Sequence, residues 1–501
     1  MREINFKTCR LYQPRPEEQH SIDFPSYRKS YIIWGMDENL KIYLRMVIVC
    51  VVGSLLAFRP QNLEVSREYI QYQEAYQAND YQEMALNLVD LAQLLPWQPE
   101  LWEKAGHLAQ RAQDYNRAVL YFEHAKDLGV LSQEGRIALG EVYNEQGVVS
   151  LAEENWSAVE DSPRAARYLA ELHQETGEYA AAVKDLKEVI SLVGEVGPEV
   201  HFQLGLLLAA EDPLQAVSHL EKAGQAYPEA ERLETALAGI ENKEPAYRQV
   251  LAGRALASLE RWELAKYAFQ KAVRYRPDYP LGWAYLGEAL QQVQKEGSEP
   301  LPALEEAYAL DPDSPVILIF LGTYWQRKGE HQKALSFFED AEAVWPDNPD
   351  VYIEQGRSLG ALGELDAALS MYEKAIQKDP ENPTYYRLLA KFCLTYRYRI
   401  REMGLPAARQ AVQRSGESPA SLLVMGQVMA ELDDAQNAKK FFIRALAANP
   451  TYAEAHFSLG MTYLSLGENE LADRHLQAVL RHSSNPALSE QARQALATFS
   501  P

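Results

Sequence analysis

Apolar residues recur along most of the chain at intervals of three and four, which is the spacing of amphipathic α-helices. The pattern returns about every 34 residues, as a series of prolines that end charged stretches shows. These are Pro277, Pro312, Pro346, Pro380 and Pro450, at spacings of 35, 34, 34 and 70. A fixed period of this length predicts a helical repeat protein.

Each repeat unit is predicted to be a helix, a turn and a second helix. The unit at 315 reads PVILIFLGTYWQRKGEHQKALSFFEDAEAVWPDN, and the next reads PDVYIEQGRSLGALGELDAALSMYEKAIQKDPEN. Glycine near place 15 ends the first helix, as at Gly329, Gly363 and Gly467, and proline at place 32 ends the second. Units start near residues 65, 99, 133, 163, 198, 246, 280, 315, 349, 383, 419 and 453.

Three further places of the unit keep one kind of residue. Place 8 carries a small residue, as Gly106, Gly140, Ala170, Gly205, Gly253, Gly287, Gly322, Gly356, Ala390, Gly426 and Gly460. Place 20 carries Ala118, Ala152, Ala182, Ala265, Ala334, Ala368, Ala438 and Ala472. Place 24 carries an aromatic ring, as Phe122, Trp156, Phe269, Phe338, Tyr372 and Phe442. Small residues let paired helices approach closely, and the rings fill the space between neighbouring units.

Across residues 65–486 this combination resembles the tetratricopeptide repeat family. The resemblance implies an all-α fold, a right-handed superhelical solenoid of about twelve helical hairpins. The predicted organisation is a loosely ordered segment at 1–40, an apolar segment at 41–59, an N-terminal repeat array at 65–228, an inserted helix at 229–245, a C-terminal array at 246–486 and a capping helix at 487–501.

The apolar segment is the only stretch that suggests a membrane. Its core, MVIVCVVGSLLAF at 46–58, covers roughly 20 Å as a helix, less than a bilayer core of about 30 Å. Extension back to residue 42 lengthens the run, and Lys41 and Arg45 favour an N-terminus inside the cell. We predict a single-pass anchor through 42–58 with the repeats outside the cytoplasm. The alternatives are a signal peptide whose cleavage leaves a secreted or periplasmic protein, and a buried helix.

Composition and motifs argue against nucleic-acid binding, metal binding and catalysis. The net charge of −22 disfavours binding to nucleic acid, because that mode depends on Lys and Arg neutralising phosphates. Three cysteines exclude a disulfide scaffold and a four-thiolate metal site. The sequence contains no phosphate loop, zinc-protease motif or nucleophile elbow. We therefore predict no enzyme activity, cofactor, metal or small-molecule substrate.

The candidate site is a partner-binding surface. In the tetratricopeptide repeat family, places 2, 5, 9, 12 and 13 of the first helix line a concave groove. In this chain those places and the insertion after the first helix of the unit at 383 carry Arg327, Arg357, Arg387, Lys391, Tyr396, Arg397 and Tyr398. Because arginine forks onto carboxylates with two hydrogen bonds, the pattern predicts a protein or peptide partner of acidic character.

The sequence thus predicts a non-enzymatic scaffold that mediates protein–protein interactions at the cell envelope. One alternative is an assembly factor in envelope polysaccharide or lipopolysaccharide biogenesis. A glycosyltransferase fused to repeats is a different class, and the absence of a long non-repeat region argues against it.

Overall fold

The structure, a computed structural model, describes residues 46–47, 63–293 and 299–499. The described chain is all-helical and contains no strand, as predicted, and its helices come in repeated pairs. The α-helices are Leu63–Ala78, Tyr81–Leu94, Glu100–Arg111, Tyr115–Asp127, Gln133–Glu145, Val149–Ser157, Pro163–Thr176, Tyr179–Val193, Pro198–Glu211, Pro213–Ala223, Pro228–Leu237, Pro245–Ser258, Trp262–Tyr275, Pro280–Val293, Leu301–Leu310, Pro315–Arg327, His331–Val344, Pro349–Ala361, Leu365–Lys378, Pro383–Thr395, Leu405–Arg414, Pro419–Glu431, Ala435–Ala448, Ala453–Ser465, Asn469–His482 and Pro486–Phe499. A 3₁₀-helix spans Gly224–Ala226, and a π-helix spans Ile400–Gly404.

The helices form two compact units, each longer than a single repeat unit. The first unit extends to Val142, and the second begins at Tyr143. In the first unit, Phe122 is fully buried against Gly106, where an added Cβ would come within 2.6 Å of the ring. In the second unit, Phe269, Phe338 and Phe442 are buried in the same way. The small residue of the first helix and the large residue of the second therefore interlock within each hairpin, which buries apolar surface at close range.

The turn between paired helices uses left-handed backbone at place 15. Glycine takes this place at Gly147, Gly177, Gly329, Gly363 and Gly467, with φ between 74° and 83°. Other residues take the same conformation in other units, at Asn79, Gln113, Glu260, Arg397 and Asp433. The turn therefore sets the conformation, and glycine is the residue that adopts it with least strain.

The predicted membrane localisation is contradicted. No helix among the described residues is long and apolar enough to cross a membrane. Of the predicted apolar segment at 41–59, only residues 46 and 47 are described, and the predicted segment at 1–40 lies outside the described residues. The prediction of a single-pass protein was wrong because it rested on the hydropathy of one run shorter than a bilayer core. The alternative role in envelope polysaccharide assembly assumed the same membrane helix and loses that support.

Candidate functional site

Four predicted cations lie on three consecutive first helices, Pro315–Arg327, Pro349–Ala361 and Pro383–Thr395. Arg327, at the end of the first of these helices, contacts the preceding repeat unit. Its guanidinium donates to Gln291 Oε1 at 2.9 Å and forms an ion pair with Glu288 at 3.3 Å. Arg327 thus joins two neighbouring units, and part of its binding capacity is used within the chain.

Arg357 forms one ion pair with a neighbour on its own helix. Its Nη1 donates to Glu354 Oε1 at 2.8 Å. Burial of Glu354 raises the pKa of its carboxyl group, although the charge of Arg357 acts in the opposite direction. The second carboxylate oxygen, Oε2, has no hydrogen-bond partner among the described residues.

Arg387 and Lys391 are the least committed of the predicted cations. They stand four residues apart on one helix, a spacing that brings side chains to the same face. Neither side chain makes a hydrogen bond or an ion pair with any residue that the structure describes. Burial of its ammonium group lowers the pKa of Lys391, the charges of Arg387 and Arg357 lower it further, and Glu454 opposes them.

Lys391 is exposed to solvent, and its ammonium group is also partly shielded by the surrounding protein. Its side chain is reached by solvent, yet the surrounding protein is dense enough to make the charged form less favourable. We call Arg357, Arg387 and Lys391 the basic face.

The insertion after this helix is bound to the repeat units on both sides of it. Arg397 forms an ion pair with Glu431 in the following unit at 2.9 Å. In the opposite direction, the Tyr398 hydroxyl and the Arg399 guanidinium both donate to Asp366 Oδ1, at 2.5 and 2.7 Å. Acidic side chains of both neighbouring units thus hold the loop, and the predicted site residues Arg397 and Tyr398 are occupied within the chain.

Tyr396 has a different environment from the rest of the loop. It lies against Gly360, where an added Cβ would come within 2.9 Å of the ring, and its ring centroid is 5.3 Å from that of Phe392. About a third of the residue stays exposed, at 36%. Tyr396 is therefore partly exposed where it packs on the helix that carries Arg357.

Sequence reasoning missed two groups of polar side chains, of which one is half-buried and the other mostly buried. Glu354 has no charge pattern that sets it apart from other surface carboxylates. The second group is a hydrogen-bonded set in which His173 Nδ1 lies 2.6 Å from Asp185 Oδ2, and His173 Nε2 lies 3.5 Å from Glu153. The available signal was the histidine itself, which falls within the predicted first helix of the unit at 163.

This histidine predicts a pH-dependent contribution to stability. Burial alone would lower the pKa of His173, but hydrogen bonds and charges from Asp185 and Glu153 outweigh it and raise the pKa. The contribution of the charged ring is therefore complete below the unfolded value of about 6.5 and is lost as the pH rises through the folded value. We expect the loss of melting temperature in His173→Ala to be larger at pH 6 than at pH 8.5.

His219 is the matched control for this prediction. Burial, followed by the charge of His201, lowers the pKa of His219, so the folded state resists its protonation. The effect of His219→Ala should change with pH in the opposite direction. Equal losses of melting temperature for His173→Ala at both pH values would contradict the assignment.

No group of three or more His, Cys, Asp or Glu side chains in the described parts of the chain is arranged to hold a metal ion. Two histidine pairs do lie in contact. Their Nδ1 atoms are 3.0 Å apart in His201–His219 and 2.9 Å apart in His456–His475. These distances are those of hydrogen bonds between rings.

Paired helices with interlocked small and large residues define a helical-repeat protein. Parts of the chain are similar to the tetratricopeptide repeat. Family models with that description match residues 326–393 and 441–474. Such repeats mediate protein–protein interactions and are generally non-catalytic.

Solved structures of similar architecture share little sequence with this chain. Yeast Tom70 is 15% identical, with 81% of this chain and 96% of Tom70 covered and a TM-score of 0.44. The Cut9–Hcn1 hetero-tetramer of APC/C is 14% identical, with coverages of 89% and 98% and a TM-score of 0.37. YrrB, described as a TPR protein with an unusual peptide-binding site, is 19% identical, with coverages of 38% and 98% and a TM-score of 0.29. No protein of curated function matches the chain.

Proposed function

We propose that this protein is a non-enzymatic scaffold that binds an acidic segment of a protein partner at the basic face. The observation that carries the proposal is the placement of Arg357, Arg387 and Lys391 on two consecutive first helices, with Arg387 and Lys391 uncommitted to any described residue. Tyr396, which is partly exposed, packs on the helix that carries Arg357.

The charge of the whole chain makes this local arrangement informative. A protein of net charge −22 repels an acidic partner at long range. At physiological ionic strength, charges beyond about 8 Å are largely screened, so a few close cations decide where such a partner docks. The basic face therefore specifies the position of the partner more than it adds to the speed of encounter.

The neighbouring contacts support a rigid surface. Gln326 donates to Ser358 Oγ at 3.0 Å and to the Glu354 carbonyl oxygen at 3.1 Å, which joins two first helices beside Arg357. Arg397 and Arg399 attach the insertion to both sides. A binding surface held in place before the partner arrives loses less conformational entropy on binding.

The test is a double substitution, Arg357→Ala with Lys391→Ala. An exposed ion pair contributes only about 0.2–1 kcal/mol, so two changes are needed for a clear effect. We expect partners captured from cell extract with the wild-type protein, and identified by mass spectrometry, to be depleted in the variant. Added salt should weaken wild-type binding of the same partners.

The control removes the same two charges elsewhere. Arg474 and Arg481 are exposed on the second helix Asn469–His482, so Arg474→Ala with Arg481→Ala should leave binding unchanged. Equal capture by the basic-face variant and the wild type at low salt would refute the proposal.

A further inference from the structure

The basic face carries more positive charge than one carboxylate neutralises. Glu354 already supplies a carboxylate oxygen to Arg357, at 2.8 Å. Glu454 acts on Lys391 only through its charge, without an ion pair. Arg387 has no acidic partner among the described residues. Two neighbouring cations thus remain without a hydrogen-bonded acceptor.

The donors of these cations approach from two helices. Arg387 presents a planar fork of N–H groups, and Lys391, one helical turn further on, presents three donors on a flexible stem. Arg357 stands at the equivalent of Lys391 on the preceding first helix, and its charge acts on Lys391. An acceptor that satisfies all three needs oxygens directed to more than one side.

A phosphoryl group meets that requirement better than a carboxylate. It carries about −1.5 to −2 charges at pH 7 and three strong acceptor oxygens, whereas a carboxylate carries one charge on two oxygens in a plane. Burial is the main cause of the lowered pKa of Lys391, and the charges of Arg387 and Arg357 lower it further. A bound anion relieves this repulsion between the three cations, and a group with more negative charge relieves it more.

We propose that the acidic segment bound at the basic face carries a phosphorylated side chain, and that Arg387 and Lys391 bind the phosphoryl group with Arg357 at its edge. This inference rests on the proposed function, since it names the charged group of the same partner segment. Clusters of arginine are a recurring means of reading phosphorylated segments.

The probes are three degenerate peptide libraries with a fixed central residue, which is phosphoserine, glutamate or serine. Fluorescence polarisation with the full-length chain measures their affinities. Because phosphoserine carries more negative charge and one more acceptor oxygen than glutamate, we expect the phosphoserine library to bind about tenfold more tightly than the glutamate library. Arg387→Gln with Lys391→Gln should bring phosphoserine binding down to the glutamate level.

The control is Arg474→Gln with Arg481→Gln, which removes equal charge and should preserve the preference. Circular dichroism confirms that each variant is folded. If the glutamate library binds as tightly as the phosphoserine library and still depends on Arg387 and Lys391, the phosphoryl inference is overturned and the proposed function stands. If no library responds to the basic-face variant, both are overturned.

Discussion

Replacing Gly322 with leucine is expected to disrupt the hairpin Pro315–Val344 before any other part of the second unit. A Cβ at Gly322 would lie 2.7 Å from both Cδ1 and Cζ of Phe338, closer than real Cβ contacts come. Phe338 is fully buried. Overpacking of this kind costs about 1–3 kcal/mol, and leucine adds three more carbons beyond the Cβ.

Hydrogen exchange measures where the damage falls. Since each repeat packs on its immediate neighbours, exchange should rise first in the helices Pro315–Arg327 and His331–Val344 and spread outward from there. Gly197→Leu is the matched control, because φ is negative at Gly197 and nothing lies within 4 Å of its Cβ position. Uniform exchange along the Gly322→Leu chain would show that the repeats do not respond as neighbours.

Phe442→Ala is expected to cause a comparable or larger loss of stability, because it leaves a cavity where Gly322→Leu overfills the space. The ring is 1% exposed and fills the space over Gly426, where its carbon atoms come within 2.7 to 2.9 Å of an added Cβ. Truncation removes the packing without allowing the hairpin to collapse, because backbone hydrogen bonds hold both helices. Loss of a buried phenylalanine costs about 3–5 kcal/mol, measurable as a lowered melting temperature.

Phe442→Leu provides the graded control. Leucine occupies the corresponding position opposite Gly205, Gly287 and Gly460, as Leu220, Leu304 and Leu476. The architecture therefore accommodates leucine, and the change should cost clearly less than the alanine substitution. A leucine variant as unstable as the alanine variant would mean that the ring contributes through something other than filled volume.

The hairpins were predictable because their signals are local or repeat at a fixed distance. The left-handed turn at place 15 was indicated in the sequence by glycine at Gly329, Gly363 and Gly467. The close pairing of small and large residues follows from the 16 positions between Gly322 and Phe338, a separation that recurs in Gly426 and Phe442. Both signals concern residues within one unit, where helix geometry leaves little choice of neighbour.

Membrane placement was not predictable in the same way. A run of thirteen apolar residues is compatible with an anchor, a signal or a buried helix. Hydropathy measures how favourably residues leave water, and this is similar for a membrane and for a protein core. The finding that no described helix could cross a membrane contradicts the choice made from hydropathy alone.

By itself, the sequence determined the all-helical repeat, the ends of most hairpins and the identity of the interlocking residues, because each depends on neighbours inside one period. Only the tertiary structure decided which cations remain available. Arg327 and Arg397 find acceptors in adjacent units, at Gln291 and Glu431, while Arg387 and Lys391 find none among the described residues. The physical reason is that a side-chain ion pair needs two flexible groups within about 4 Å, and that distance depends on how successive hairpins stack.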